Sequence, residues 1–141
     1  YSGTMKLIDF LNEKDLFAKN IGCKLVEIRG GYSKATMTVA DCHLNAGGVC
    51  QGGALFTLAD LALAAVMNSR GCLTFGIQSN IMYLKSARQG EVLIAEAFEV
   101  YDHRRIPAVE VKITNAQGEL LCHVTGLAYR KEAELPIDGL M

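Results

Sequence analysis

The sequence predicts an α+β fold in which an antiparallel sheet wraps around one long apolar helix. Two observations carry this reading. From Ala54 to Met67 only Thr57 and Asp60 are polar, so that helix is apolar all round and belongs inside the protein. Six strand-like stretches surround it, joined mostly by turn signals. In one of them Val109, Val111 and Ile113 alternate with Glu110, Lys112 and Thr114, the pattern of a sheet with one wet face.

Taken in order, residues 5–17 set Leu7, Ile8, Leu11 and Phe17 at broadly helical spacing among Lys6, Asp9, Lys14 and Asp15, which predicts a short amphipathic N-terminal helix. Residues 23–29 and 32–40 read as two strands about Gly30-Gly31, a two-residue hairpin signal. A loop holding His43 and Asn45 leads into the central helix over 54–67, which ends near Arg70-Gly71 because glycine suits a helix C-terminus. Four more strands are predicted over 73–84, 91–101, 106–114 and 119–129, with turn signals at 88–90, 102–104 and 115–118. No repeat, linker or low-complexity tract interrupts them, so residues 1–141 are expected to form a single domain, with residues 1–4 a remnant ahead of a native start at Met5.

Composition narrows the function. Half of the residues are hydrophobic and only two are proline, as suits an ordered chain with a real core. The net charge of −1, with lysines and arginines scattered, gives no footprint for nucleic acid. The apolar helix is short of the roughly 20 residues needed to cross a bilayer, so no membrane role is expected. Cys23, Cys42, Cys50, Cys72 and Cys122 form an odd set without a C-x-x-C pair, which fits a reducing cytoplasm. Cys42, His43 and Cys50 lack the close pairs of a structural zinc site, and no metal is expected.

Asp60 is the residue that asks for a reason. An ionised carboxylate in an apolar helix costs several kcal/mol unless it is paired or hydrogen-bonded. It is either a structural group tied to amides or to a cross-subunit arginine, or a general base with a raised pKa. Just before it the chain reads His43-Leu44-Asn45-Ala46-Gly47-Gly48-Val49-Cys50-Gln51-Gly52-Gly53, and Leu58-Ala59-Asp60 follows on the helix.

This pattern, His-x-Asn-x-x-Gly-x-x-(His/Gln)-Gly-Gly ahead of a helix with Leu-Ala-Asp, resembles the hot-dog-fold acyl-CoA thioesterases of the phenylacetate-degradation (PaaI-like) type. The likeness is dense over residues 43–65, and the strand layout agrees to about residue 130. It implies the hot-dog fold and hydrolysis of acyl-CoA to free acid and coenzyme A, with no cofactor, since coenzyme A is part of the substrate. It also implies roles: Asp60 activates water or attacks the carbonyl, Asn45 orients the thioester or water, and the Gly52 N–H faces the thioester oxygen. The family usually has histidine where this chain has Gln51, which donates and accepts hydrogen bonds but does not titrate near neutral pH.

Geometry adds a dimer. Gly52 and Asp60 lie about 12 Å apart along one helix at 1.5 Å per residue. An oxyanion donor and an attacking group must both sit within about 3 Å of one carbonyl. Two antiparallel helices about a two-fold axis meet that requirement, with Gly52 of one subunit facing Asp60 of the other. Two such dimers pairing as a tetramer is a further expectation from the resemblance.

The remaining candidates are substrate-binding. Gly53 shares the helix N-terminus, with its unpaired N–H groups and positive dipole end. Gln51 and His43 flank it, although His43 also reads as a hydrogen-bond partner of its own loop. Arg88 and Arg104, with Lys85 and Arg105, stand near strand ends where they could meet phosphates. Phe56, Met67, Phe75 and Met82 are candidates for an acyl pocket. Two rival functions are a non-catalytic acyl-CoA-binding sensor or assembly module and, third, a dehydratase, which would want the histidine that Gln51 replaces.

Overall fold

The computed structural model describes residues 5–141, so the expectation for residues 1–4 lies outside the described residues. The N-terminal segment is two helices rather than the one expected, α1 (Leu7–Lys14) and α2 (Leu16–Asn20). Asp15 makes the break. Its backbone leaves the helical region, at φ −79° and ψ 84°, and its carboxylate accepts the Ala18 N–H at 3.2 Å to cap the second helix.

β1 (Lys24–Arg29) and β2 (Tyr32–Thr38) form the expected hairpin about Gly30-Gly31. The central helix α3 spans Gly52–Asn68, and Gly71, at φ 86°, turns the chain out of it. β3 (Cys72–Tyr83), β4 (Val92–Tyr101), β5 (Ala108–Thr114) and β6 (Leu120–Glu134) complete one antiparallel sheet in the order β1-β2-β4-β5-β6-β3. β6 runs five residues past the expected end at 129. Its exposed tail follows β3, whose Cys72 and Thr74 pair with Glu134 and Arg130.

The curled sheet holds α3 on its concave face. Beneath the helix the central strands carry small side chains: Ser33 and Ala35 on β2 stand opposite Ala97 and Ala95 on β4, and all four are fully buried. Ser33 donates its hydroxyl to the Ala62 carbonyl at 2.6 Å, so helix and sheet approach closely with no polar group left over. Larger residues of α3, Leu55, Leu58, Leu63 and Val66, fill the space around this floor. This is the hot-dog arrangement.

After β6 the chain turns back as a strap. The Leu135 N–H donates to the Gly71 carbonyl at 2.9 Å, Met5 bridges to Ile137, and Leu7 and Ile8 donate to the carbonyls of Gly139 and Leu140. The strap and α1 thereby stand together beside the second half of α3. No helix of the described residues is long and apolar enough to cross a membrane.

Candidate active site

The sheet covers only one side of α3, which corrects the expectation of a helix enclosed all round. Gly53, Phe56, Thr57, Asp60 and Ala64 follow one another at helical spacing along a stripe the sheet does not reach. Asp60 is the charge on that stripe, and in the single chain its carboxyl meets solvent instead of being sealed in. Apolar mass around it still raises its pKa above the ordinary carboxylate value, with the negative charge of Asp15 adding a smaller push in the same direction. No hydrogen bond or ion pair to the Asp60 side chain forms among the described residues, so the structural explanation by pairing within the chain finds no partner.

Asp60 borders two clefts. One, of about 530 Å³, is shared with Asp15, Phe17, Phe56 and Thr57. The other, of about 350 Å³, runs toward the C-terminal end of α3 between α1, the start of β3 and the strap. Met67 and Phe75, two of the expected pocket residues, line the second cleft, and Phe56 lines the first. Met82 lines neither. It pairs across from His123 on the outer face of the sheet and is exposed.

The loop before α3 is held by backbone bonds. Asn45 accepts the N–H groups of Gly47 (2.9 Å) and Val49 (3.3 Å) with its side-chain oxygen, which folds residues 45–49 into a turn, while its amide nitrogen takes no partner among the described residues. The Gln51 N–H donates to the His43 carbonyl at 2.8 Å and starts the helix, whose first bonds run from Ala54 and Leu55 to the Gln51 carbonyl. Among the described residues the N–H groups of Gly52 and Gly53 find no acceptor, as at any open helix N-terminus.

Glycine at position 52 lets a side chain from β3 lie against the entrance of α3. A Cβ there would lie 2.8 Å from the ring of Tyr83, whose hydroxyl donates to the Gly52 carbonyl at 3.1 Å. Tyr83 is the residue that sequence reasoning missed. It shares a cleft of about 380 Å³ with Asn45, Gly52 and Lys85, and no motif announces it because the contact depends on where β3 ends. The site therefore falls into two parts within one chain: Asn45 and Gly52 line this cleft, and Asp60 does not.

The structure sets the substrate-binding candidates in different surroundings. His43 is buried with both ring nitrogens committed: Nδ1 accepts the Ala40 N–H at 2.9 Å and Nε2 lies 2.6 Å from the Ile21 carbonyl. A ring carrying its hydrogen on Nε2 satisfies both, so His43 ties the loop to the end of α2 and has no nitrogen left for a ligand. Gln51 is exposed, its side chain unbonded among the described residues and standing over Gly53. Arg88 and Arg104 do not act together in one chain, because they stand at opposite ends of β4, a ten-residue strand roughly 30 Å long. Arg88 is near the loop before α3, where the Cys50 N–H donates to the Ala87 carbonyl. Arg104 lies beyond the far end, beside the Arg70–Glu99 and Arg130–Asp102 ion pairs.

The three buried cysteines are poor nucleophiles. Burial pushes Cys23 up to about 12 and Cys122 up to about 11, and raises Cys50 as well. Among the described residues no group of three His, Cys, Asp or Glu side chains is placed to hold a metal ion.

Comparison with known proteins supplies the chemistry such an arrangement serves elsewhere. Residues 47–122 match the family model described as the thioesterase superfamily. A protein of Archaeoglobus fulgidus whose name goes no further than esterase is 36% identical over 91% of this chain and 83% of its own. The acyl-coenzyme A thioesterase PaaI of Escherichia coli is 30% identical over 84% of each chain, and its structure superposes with a TM-score of 0.87 over 91% of this chain and 93% of that one. A hypothetical thioesterase of Streptococcus pneumoniae solved with coenzyme A is 28% identical, with a TM-score of 0.81 over 89% of this chain and 99% of that one.

Proposed function

We propose, from the premise that this chain belongs to the thioesterase superfamily and is a thioester hydrolase, that it cleaves acyl-CoA to a free acid and coenzyme A in sites shared between two subunits. The observation that carries this reading is the placement of Asp60: an unpaired carboxyl of raised pKa at the junction of two clefts, on a helix whose N-terminus presents free N–H groups in a third.

In the general-base route Asp60 takes a proton from water, the hydroxide adds to the thioester carbon, and the Gly52 N–H holds the oxyanion. The C–S bond then breaks, and the proton held by Asp60 goes to the departing thiolate. In the covalent route the Asp60 oxygen attacks, coenzyme A leaves, and water opens the resulting anhydride. Asn45, through its uncommitted amide nitrogen, orients the thioester or the water. Gln51 and Gly53 border the thioester, and Lys85, which lines the Gly52 cleft, and Arg88, next along the chain, are the cations offered to the phosphates of coenzyme A.

A shared site follows from the 12 Å between Gly52 and Asp60, and a second feature favours the dimer that would make it. β3 is a twelve-residue edge strand, and Phe75, Ile77, Met82, Tyr83 and Leu84 on it or just after it are exposed. Long apolar edges pair with other chains. Two β3 edges meeting antiparallel would continue the sheet and lay the α3 helices side by side in opposite directions. Pairing of two such dimers and a cytoplasmic location, which suits five free cysteines, complete the proposal.

The test is release of coenzyme A from a panel of acyl-CoAs; binding of acyl-CoA with no release by wild type would favour the sensor reading instead. For the shared site, Asp60→Asn and Gly52→Ala subunits, each inactive alone, are refolded together. Random pairing should return about a quarter of wild-type activity, since half the dimers are mixed and each carries one intact site. No recovery in mixed dimers would refute the cross-subunit arrangement.

A further inference from the structure

We propose that the 350 Å³ cleft between α1, α3, β3 and the C-terminal strap is the acyl-binding channel, and that it selects unbranched apolar acyl chains of medium length, about eight to ten carbons. This deepens the thioesterase reading above and rests on it.

The first argument is polarity. The cleft walls come from Leu11 on α1, Ala64 and Met67 on α3, Phe75 on β3, and Leu135 and Ile137 of the strap. Two polar side chains reach it besides Asp60, and they are spent on structure. Asn68 donates to the carbonyls of Ala64 (2.8 Å) and Thr74 (3.2 Å) and accepts the Thr74 N–H at 2.9 Å, while the Thr74 hydroxyl donates to the Cys72 carbonyl at 2.9 Å. A hydroxyl or amide on the guest would therefore lose its water without gaining a partner, which excludes polar acyl groups and the amide-bearing pantetheine arm.

The second argument is length. Asp60, Ala64, Met67 and Asn68 mark one face of α3 over eight residues, about 12 Å at the helical rise. An extended alkyl chain, like an extended backbone, advances roughly 1.2 Å per bond, so eight to ten carbons reach from a carbonyl held at Asp60 to the far wall.

The experiment measures kcat/KM for butanoyl-, octanoyl- and hexadecanoyl-CoA and for a ring-hydroxylated phenylacetyl-CoA. Octanoyl-CoA should exceed each of the others by at least tenfold, since every buried methylene contributes a few-fold. Ala64→Phe, which fills the channel, should lower the octanoyl-to-butanoyl ratio at least tenfold, and Ala64→Leu should do so by less. Equal rates across chain lengths, or equal loss for all lengths in both variants, would overturn the channel while leaving the thioesterase reading intact. Should no acyl-CoA be turned over, calorimetry decides: tighter binding of octanoyl-CoA than of coenzyme A, with the difference lost in Ala64→Phe, supports the channel, and equal affinities refute it.

Discussion

On the sheet side of α3, Leu58, Ala62 and Val66 are fully buried and the Ser33 hydroxyl beneath them is bonded, whereas on the opposite side Gly53, Phe56, Thr57, Asp60 and Ala64 stay open to clefts. The same helix thus serves as core and as site, and the two faces follow different rules. A residue on the closed face is fixed by volume; one on the open face is fixed by what enters the cleft. A carboxylate survives on the second because it is not asked to pack, yet the apolar mass around it keeps its proton affinity high.

The difference breaks most sharply at Asp60. Asp60→Asn should keep the fold and lower kcat by two or more orders of magnitude in the coenzyme A release assay, and near-normal turnover would remove Asp60 from the chemistry. The same variant should melt slightly higher. A raised carboxyl pKa penalises the folded state only where the group is ionised, so the penalty is absent below the ordinary carboxylate range and complete above the raised value. The gain in Tm should appear at pH 7 to 8 and vanish near pH 3.

On the closed face the expected loss is stability. Leu58→Ala should cost about 2–5 kcal/mol in denaturant unfolding, the range for a fully buried leucine, while Phe56→Ala, which is only half-buried, should cost clearly less. Equal costs would mean that a partner helix packs the open stripe as tightly as the sheet packs the closed one. Smaller again is Asp15→Asn. Asp15 is the charged neighbour that shares a cleft with Asp60, and it raises that pKa as the lesser of two causes. Its neutralisation should move the acid limb of kcat/KM to lower pH, modestly, with less than about a twofold change at pH 7. An unmoved limb would assign the tuning to burial alone.

The smallest effect belongs to Gln51→His. An exposed glutamine at the helix entrance substitutes well for a hydrogen-bond donor and badly for a proton carrier. Little change in rate at pH 7 to 8 is expected, and a gain of about tenfold or more would show that Gln51 costs catalysis and would strengthen the binding-module reading.

What the sequence made legible follows the same division. The strands were readable because one face is dry, as in Val109, Val111 and Ile113, and the helix because fourteen residues carry two polar groups. Asp60, Asn45 and Gly52 stood out as residue types at motif spacing. The sequence did not show which side of α3 the sheet leaves bare, since that depends on a single sheet curling around one side only. It did not show Tyr83 over Gly52, or the separation of Arg88 from Arg104, both matters of register and strand direction. Asp15 reads in the sequence as one more polar residue in a helix, although its backbone breaks that helix and its side chain caps the next.

The strand order has a consequence for how the molecule assembles. β2 and β4 lie side by side, with Tyr32 opposite Phe98 and Thr38 opposite Val92, so the segment between them, from the end of β2 to the start of β4, is one closed loop. Asn45, Gly52, Asp60 and Tyr83 all lie inside it. No local hairpin can form this loop, and its closure entropy is lost before any of the pairing is gained. The candidate site is therefore tied to the one long-range closure that fastens the two halves of the sheet to each other.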